Sequence, residues 1–102
     1  MPRWLSRVLD RIHEISQGRR VWFTHKALLE MAELGLDEMD ARQVLMELGV
    51  EDSSGRVRSE ATGEWMYIFK PRIAGALVYM KLILRTECVM VSFHEEAHEG
   101  PE

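Results

Sequence analysis

The stretch "VYMKLILRTECVMVSFH", residues 78–94, decides the fold. Val78, Met80, Leu82 and Leu84 alternate with Tyr79, Lys81 and Ile83. A period of two is the mark of a strand with one face buried. "RTE" at 85–87 is a short polar break, and "CVMVSF" at 88–93 is a second apolar run. The pair therefore reads as an antiparallel hairpin. A turn at Thr86–Glu87 would set Leu84 against Val89, Leu82 against Val91 and Met80 against Phe93, all apolar pairs. The same register sets Lys81 against Ser92 and Tyr79 against His94 on the other face, with Arg85 and Cys88 further along it.

Upstream the period changes. Leu5, Val8, Leu9, Ile12 and Ile15 recur at helical spacing over residues 3–17, and Gly18 supplies a stop. "RRVWF" at 19–23 is expected to be extended. Thr24 and Asp37 are N-cap candidates for helices over 25–34 and 38–48, ended by Gly35 and Gly49. "DSSG" at 52–55 reads as a turn, "RVRS" at 56–59 as a short strand and "EWMYIFK" at 64–70 as a central strand closed by Pro71. The expected architecture is α+β: helices over about 3–48 packed on an antiparallel sheet over about 56–94, with a frayed acidic tail at 95–102. One domain is expected over residues 1–102.

Composition narrows the class. Apolar residues make up 46% and charged residues 29%, a globular balance. The single cysteine, Cys88, excludes an intrachain disulfide. No apolar run reaches the length of a membrane span, and the charged start is unlike a signal peptide, so a cytoplasmic protein is expected. The net charge of −4 hides segregation. Residues 1–26 and 55–86 each hold six basic and two acidic residues, whereas 27–54 and 87–102 are acidic. A chain with one basic surface can take a polyanion despite an acidic total.

The face of Tyr79, Lys81, Ser92 and His94 carries the parts for RNA cleavage by the substrate's own 2′-hydroxyl. That reaction needs a base at the hydroxyl, cations at the phosphate and an acid at the leaving oxygen. Histidine titrates near neutrality, and Lys and Arg bring charge to phosphate. Tyr donates a hydrogen bond or stacks on a base. A cross-strand Tyr–His pair is also a common structural decoration, and a lone strand Lys is most often solvated. His13, His25 and His98 lie outside the cluster, and the four His and one Cys lack zinc-ligand spacing, so neither metal nor other cofactor is expected. There is no phosphate-cradling Gly loop and no nucleophile elbow.

"FTHKALLEMAELGLD" at 23–37, Val44, Leu48, "KPR" at 70–72, "VYMK" at 78–81 and "VSF" at 91–93 together resemble the MqsR family, toxins of bacterial type II toxin–antitoxin systems. The resemblance runs from about residue 20 to 95. It implies a RelE-like fold and a metal-independent mRNA endonuclease that arrests translation. It also implies an antitoxin partner with a zinc-binding part and a helix-turn-helix part. Tyr79 falls on the family's functional tyrosine, and Lys81 and Arg72 on basic positions of the family. His94 stands where the family usually has Lys, and Met66 where its model member has Gln. The family's "DFYKS" is replaced by "DSSGRVRS", leaving Arg56 or Arg58 nearest to its lysine. The expected catalytic set is Tyr79, His94 and Lys81, with Arg56, Arg58, Lys70, Arg72 and Arg85 as RNA and phosphate contacts. The rival readings are a non-catalytic protein-interaction module and a toxin fold directed at another RNA target.

Overall fold

The computed structural model describes residues 2–96. Helix α1 (Arg3–Gln17) is followed by strand β1 (Val21–Phe23), α2 (His25–Glu33) and α3 (Glu38–Glu47). A 3-10 turn at Val50–Asp52 leads to β2 (Ser53–Arg58), β3 (Trp65–Phe69), β4 (Arg72–Ile73), β5 (Ala76–Leu84) and β6 (Cys88–Glu95). The sheet order is β1-β6-β5-β3-β2; β4 pairs with β5 off this path, and the β1–β6 pairing is parallel. This is the expected α+β arrangement, helices first. The expected turn at 52–55 is instead the 3-10 turn followed directly by β2, which begins three residues early. His98 and the end of the acidic tail lie outside the described residues.

Local chemistry places the helices as the spacing foretold. The α1 stripe Leu5, Val8, Leu9, Ile12 and Ile15 is buried. Thr24 accepts the Ala27 N–H, and Asp37 and Asp40 form a reciprocal capping box at the start of α3. Between them Gly35 takes φ +75°, and the N–H groups of Gly35 and Leu36 return to Ala32 and Met31. This left-handed exit lets two helices join in a few residues. All three helices put apolar residues into one core with Phe69, Val78, Met80, Leu82, Cys88, Met90 and Phe93 of the sheet.

The β5–β6 hairpin holds the main correction. Tyr79–His94, Met80–Phe93 and Lys81–Ser92 pair as expected, but a bulge at Val91 shifts the rest. Leu82 faces Met90, Ile83 faces Val89 and Leu84 faces Cys88, so the pairs Leu84–Val89 and Leu82–Val91 are not formed. The connection is three residues, 85–87, rather than a two-residue turn. A strict alternation would bury either Cys88 and Met90 or Phe93. The extra residue flips the phase and buries all three. Thr24 holds the bulge: its Oγ1 donates to the Val91 carbonyl at 3.1 Å while its backbone N–H donates to Met90. Cys88 is thereby moved from the expected Tyr79–His94 face to the core face, where it is fully buried, and burial pushes its thiol up to about 12.

Candidate active site on the open sheet face

With the helices on one side, the opposite face of the sheet stays half-exposed. Register fixes its membership, because residues directly opposite share a face. Tyr79 and His94 form one row; Ile68, Lys81 and Ser92 form the next. Beyond them lie Ile83, Val89 and Trp22, with Met66 and Val57 on the β3–β2 side. Successive rows are about 7 Å apart along the strands. The face therefore has a polar, cationic end and an apolar end.

At the polar end the Tyr79 and His94 rings stack, with centroids 5.0 Å apart and planes 15° off parallel. His94 Nδ1 lies 2.9 Å from the Glu95 carbonyl oxygen. A carbonyl only accepts, so Nδ1 carries the proton and the neutral ring keeps its lone pair on Nε2. Lys70 Nζ stands 5.9 Å from the Tyr79 ring centroid and pairs with Glu96 at 2.8 Å. Lys81 lies across from Ser92, whose Oγ accepts from Lys26 Nζ at 2.9 Å.

Helix α2 supplies a network that strand periodicity could not reveal. Beyond Met90, strand β1 has ended and β6 has a bare edge. The Glu30 carboxylate covers it, accepting the Phe93 N–H at 2.8 Å through Oε1 and pairing with Lys26 Nζ at 2.9 Å through Oε2. Partial burial works against the Glu30 charge, but the Phe93 N–H, Lys26 and the nearby His94 together hold its carboxyl below its ordinary range. The signal in the sequence was the i,i+4 spacing of Lys26 and Glu30 in the helix after β1.

The expected phosphate contacts divide. Lys70 and Lys81 join the Tyr79–His94 face. Arg56 pairs with Tyr67, which pairs with Leu82, so Arg56 and Arg58 lie on the helix-bearing face instead. The cause is parity: β2 is bulged between Ser53 and Arg56, which sets the odd-numbered Val57 on the open face. Arg72 donates to the Gly75 carbonyl and lines a pocket with Val44 of α3 and Leu48 just beyond it. Arg85 sits at the far end of β5 and grips Glu64 through two bonds of 2.7 and 2.8 Å, which hold the Glu64 carboxyl down to about 2. Of the remaining histidines, His13 donates to the Leu48 carbonyl at 2.9 Å and ties α1 to the end of α3. Among the described residues, no three His, Cys, Asp or Glu side chains gather as a metal site, and no helix is long and apolar enough to cross a membrane.

The fold is thus a small α+β one, with three helices on one side of the sheet and a stacked His–Tyr pair among lysines on the other. Comparison with known proteins makes the class specific. The family model for the motility quorum-sensing regulator, toxin of MqsA, matches residues 6–95. The chain is 30% identical over 90 residues to the mRNA interferase toxin MqsR of Escherichia coli (strain K12), covering 86% of this chain and 91% of that protein. The chain belongs to the MqsR toxin family. The family description, as the toxin of MqsA, gives it an antitoxin as partner.

Proposed function

We propose that the chain is an mRNA interferase of a type II toxin–antitoxin pair, and that it cuts RNA on the Tyr79–His94 face. The observation that carries the site assignment is the stacked pair itself. His94 is anchored through Nδ1, its Nε2 is free to take a proton, and Lys81 lies one row away.

The proposed step needs no group beyond these. His94 Nε2 takes the proton of a 2′-hydroxyl as that oxygen attacks the neighbouring phosphorus. The O2′–P bond forms, the P–O5′ bond breaks, and the 5′ oxygen receives the Tyr79 phenolic proton; the proton held on His94 then passes through water to the Tyr79 phenolate, which restores both side chains. The products are a 2′,3′-cyclic phosphate and a free 5′-hydroxyl. Lys81 holds the charge that builds on the non-bridging oxygens, with Lys26 and Lys70 at the margins. Arg56, Arg58, Arg72 and Arg85 are too differently placed to share this phosphate. The chain acts in the cytoplasm as one domain, and its antitoxin carries a zinc-binding part and a helix-turn-helix part.

The test separates acid from base. His94→Ala abolishes cleavage of a short RNA, and Tyr79→Phe slows it by about 10²–10⁴-fold. A substrate with sulfur at the 5′ bridging position has a leaving group that needs no proton. It restores the rate to Tyr79→Phe but not to His94→Ala. Equal rates for the folded His94→Ala variant and the parent chain would remove His94 from the reaction. A parent chain that leaves RNA intact and growth unaffected would remove the nuclease reading.

A further inference from the structure

On the opposite side of the sheet from His94, β2 and β3 carry a second set of cations. The Arg56 guanidinium lies 3.8 Å from the Trp65 ring centroid and 4.6 Å from that of Trp4. Arg58 lies 4.2 Å from the Trp65 centroid. The order is Trp4–Arg56–Trp65–Arg58, a ladder in which cation and ring alternate, and Trp4 also meets Tyr67 at 5.6 Å. Trp4, Arg7 and Arg11 fall on one stripe of α1 by their spacing of three and four, which adds two exposed cations beside the ladder.

What the ladder leaves free matters more than what it holds. Ring contacts occupy the faces of Arg56 and fix its plane, yet among the described residues its N–H groups meet no carboxylate and no hydrogen-bond acceptor. Arg58 spends Nη1 on the Gly63 carbonyl at 2.7 Å and is otherwise exposed. A structural ion pair would have consumed these charges, as Glu64 consumes that of Arg85. A planar donor held in place with its edge open is suited to phosphate. Trp4 also forms a wall of an open cavity of about 370 Å³, lined with Pro2, Leu5, Val50, Glu51 and Ser53. That is within the usual size of small-ligand sites.

We propose that this surface is a second RNA site, outside the reaction centre, for the single-stranded message flanking the cut. Phosphates lie along the N–H edges of Arg56 and Arg58, and a base enters the cavity against Trp4. A polyanion with a π face at every unit is the ligand that an alternation of guanidinium and indole complements. The proposal rests on the RNA reading above, but it concerns binding and is tested without cleavage.

The probe is a 2′-O-methyl RNA of roughly 12 nucleotides, which has no attacking hydroxyl and is long enough to stack several bases. The protein carries Trp22→Phe, so that Trp4 and Trp65 are the only fluorescent indoles. Titration is expected to quench their emission. Arg56→Gln is expected to weaken binding about tenfold and to flatten the log–log salt dependence by roughly 0.7, the loss of one single-strand phosphate contact. Arg58→Gln, at an exposed position that tolerates change, is expected to do the same, and protects the test against misfolding of the Arg56 variant. His94→Ala is expected to leave the quench intact. Absence of quenching, or RNA affinity of the folded Arg58→Gln variant equal to its parent, would overturn the proposal. So would an Arg58→Gln variant that binds RNA normally but no longer binds its antitoxin, for the surface would then dock protein. If the parent quenches on RNA yet cuts none, the reaction reading fails and this one stands. If it cuts RNA without quenching, only this one fails.

Discussion

Removing the Glu30 carboxylate tests how the sheet edge that carries His94 is held. Phe93 is fully buried, and its N–H points away from β5 toward a position no strand occupies. In Glu30→Ala that donor loses its acceptor. A buried unsatisfied N–H costs about 1–3 kcal/mol, and a bond to a charged acceptor contributes toward the upper end of that range. Glu30 retains 18% exposure, so water reaches the rim and trims the penalty to about 1.5–2 kcal/mol. The Lys26 pair adds little, since Lys26 is 59% exposed; about 0.3–0.5 kcal/mol is typical of exposed i,i+4 pairs. The sum is about 2 kcal/mol, or a fall in Tm of roughly 8–16 °C for a chain of this length.

The companion variants say which part of Glu30 matters. Glu30→Gln keeps an oxygen for the Phe93 N–H and is expected to cost about 0.5–1 kcal/mol. Lys26→Ala is expected to cost no more than about 0.5 kcal/mol. Urea melts of the three proteins and of the Lys26→Ala/Glu30→Ala double variant measure the costs and the coupling between the two side chains. A cost below about 0.5 kcal/mol for Glu30→Ala would mean that the β6 edge is satisfied without it. Equal costs for Ala and Gln would mean that the charge, not the acceptor, is what counts. The pH dependence follows from the lowered Glu30 carboxyl. Its stabilisation is fully present above the ordinary value of 4.5 and is lost as pH falls through the lower folded value, so the gap between parent and Glu30→Ala narrows only in acid.

Other outcomes are expected elsewhere in the fold. Cys88, buried with its thiol pushed up to about 12, should resist iodoacetamide in the native protein at pH 8 and react fully in urea, as read by mass spectrometry. Met80→Ala, at a core position with no exposure, should destabilise by about 3 kcal/mol in denaturant melts. Ala74 is held at φ +51° beside Gly75 in the β4–β5 turn. Ala74→Gly should therefore stabilise by about 0.5 kcal/mol, the relief of left-handed strain exceeding the entropy glycine adds to the unfolded chain.

What the sequence disclosed follows the range of the forces involved. Helix stripes and caps are local, and α1, Thr24 and Asp37 were legible from spacing alone. The half of the hairpin nearest Tyr79 was legible too, because the apolar pair Met80–Phe93 fixes its parity. The bulge at Val91 was not. Its cause lies in Thr24, 67 residues away, and in the three-way competition among Cys88, Met90 and Phe93 for the core. The face taken by Arg56 and Arg58 was hidden for a related reason. Their face depends on a bulge in β2, and a one-residue slip carries a side chain through the sheet. Lys26 and Glu30 were invisible as site neighbours because helix periodicity says which residues share a stripe, not which strand edge the stripe meets.

These two bulges have opposite consequences for the same chemistry. The one in β6 returns Ser92 and His94 to the open face after Cys88 and Met90 have faced the core, and so puts the imidazole against Tyr79 while Phe93 anchors the strand beneath. The one in β2 takes two arginines off that face and delivers them to Trp4 and Trp65. The open face is left with lysines, and in the reaction proposed above their flexible point charges would follow a phosphate as its geometry changes during attack. The planar guanidinium groups are kept where a fixed donor array is useful, on a strand that only has to be held. If both proposals hold, this division of cation types suits a nuclease that binds the message in one place and cuts it in another.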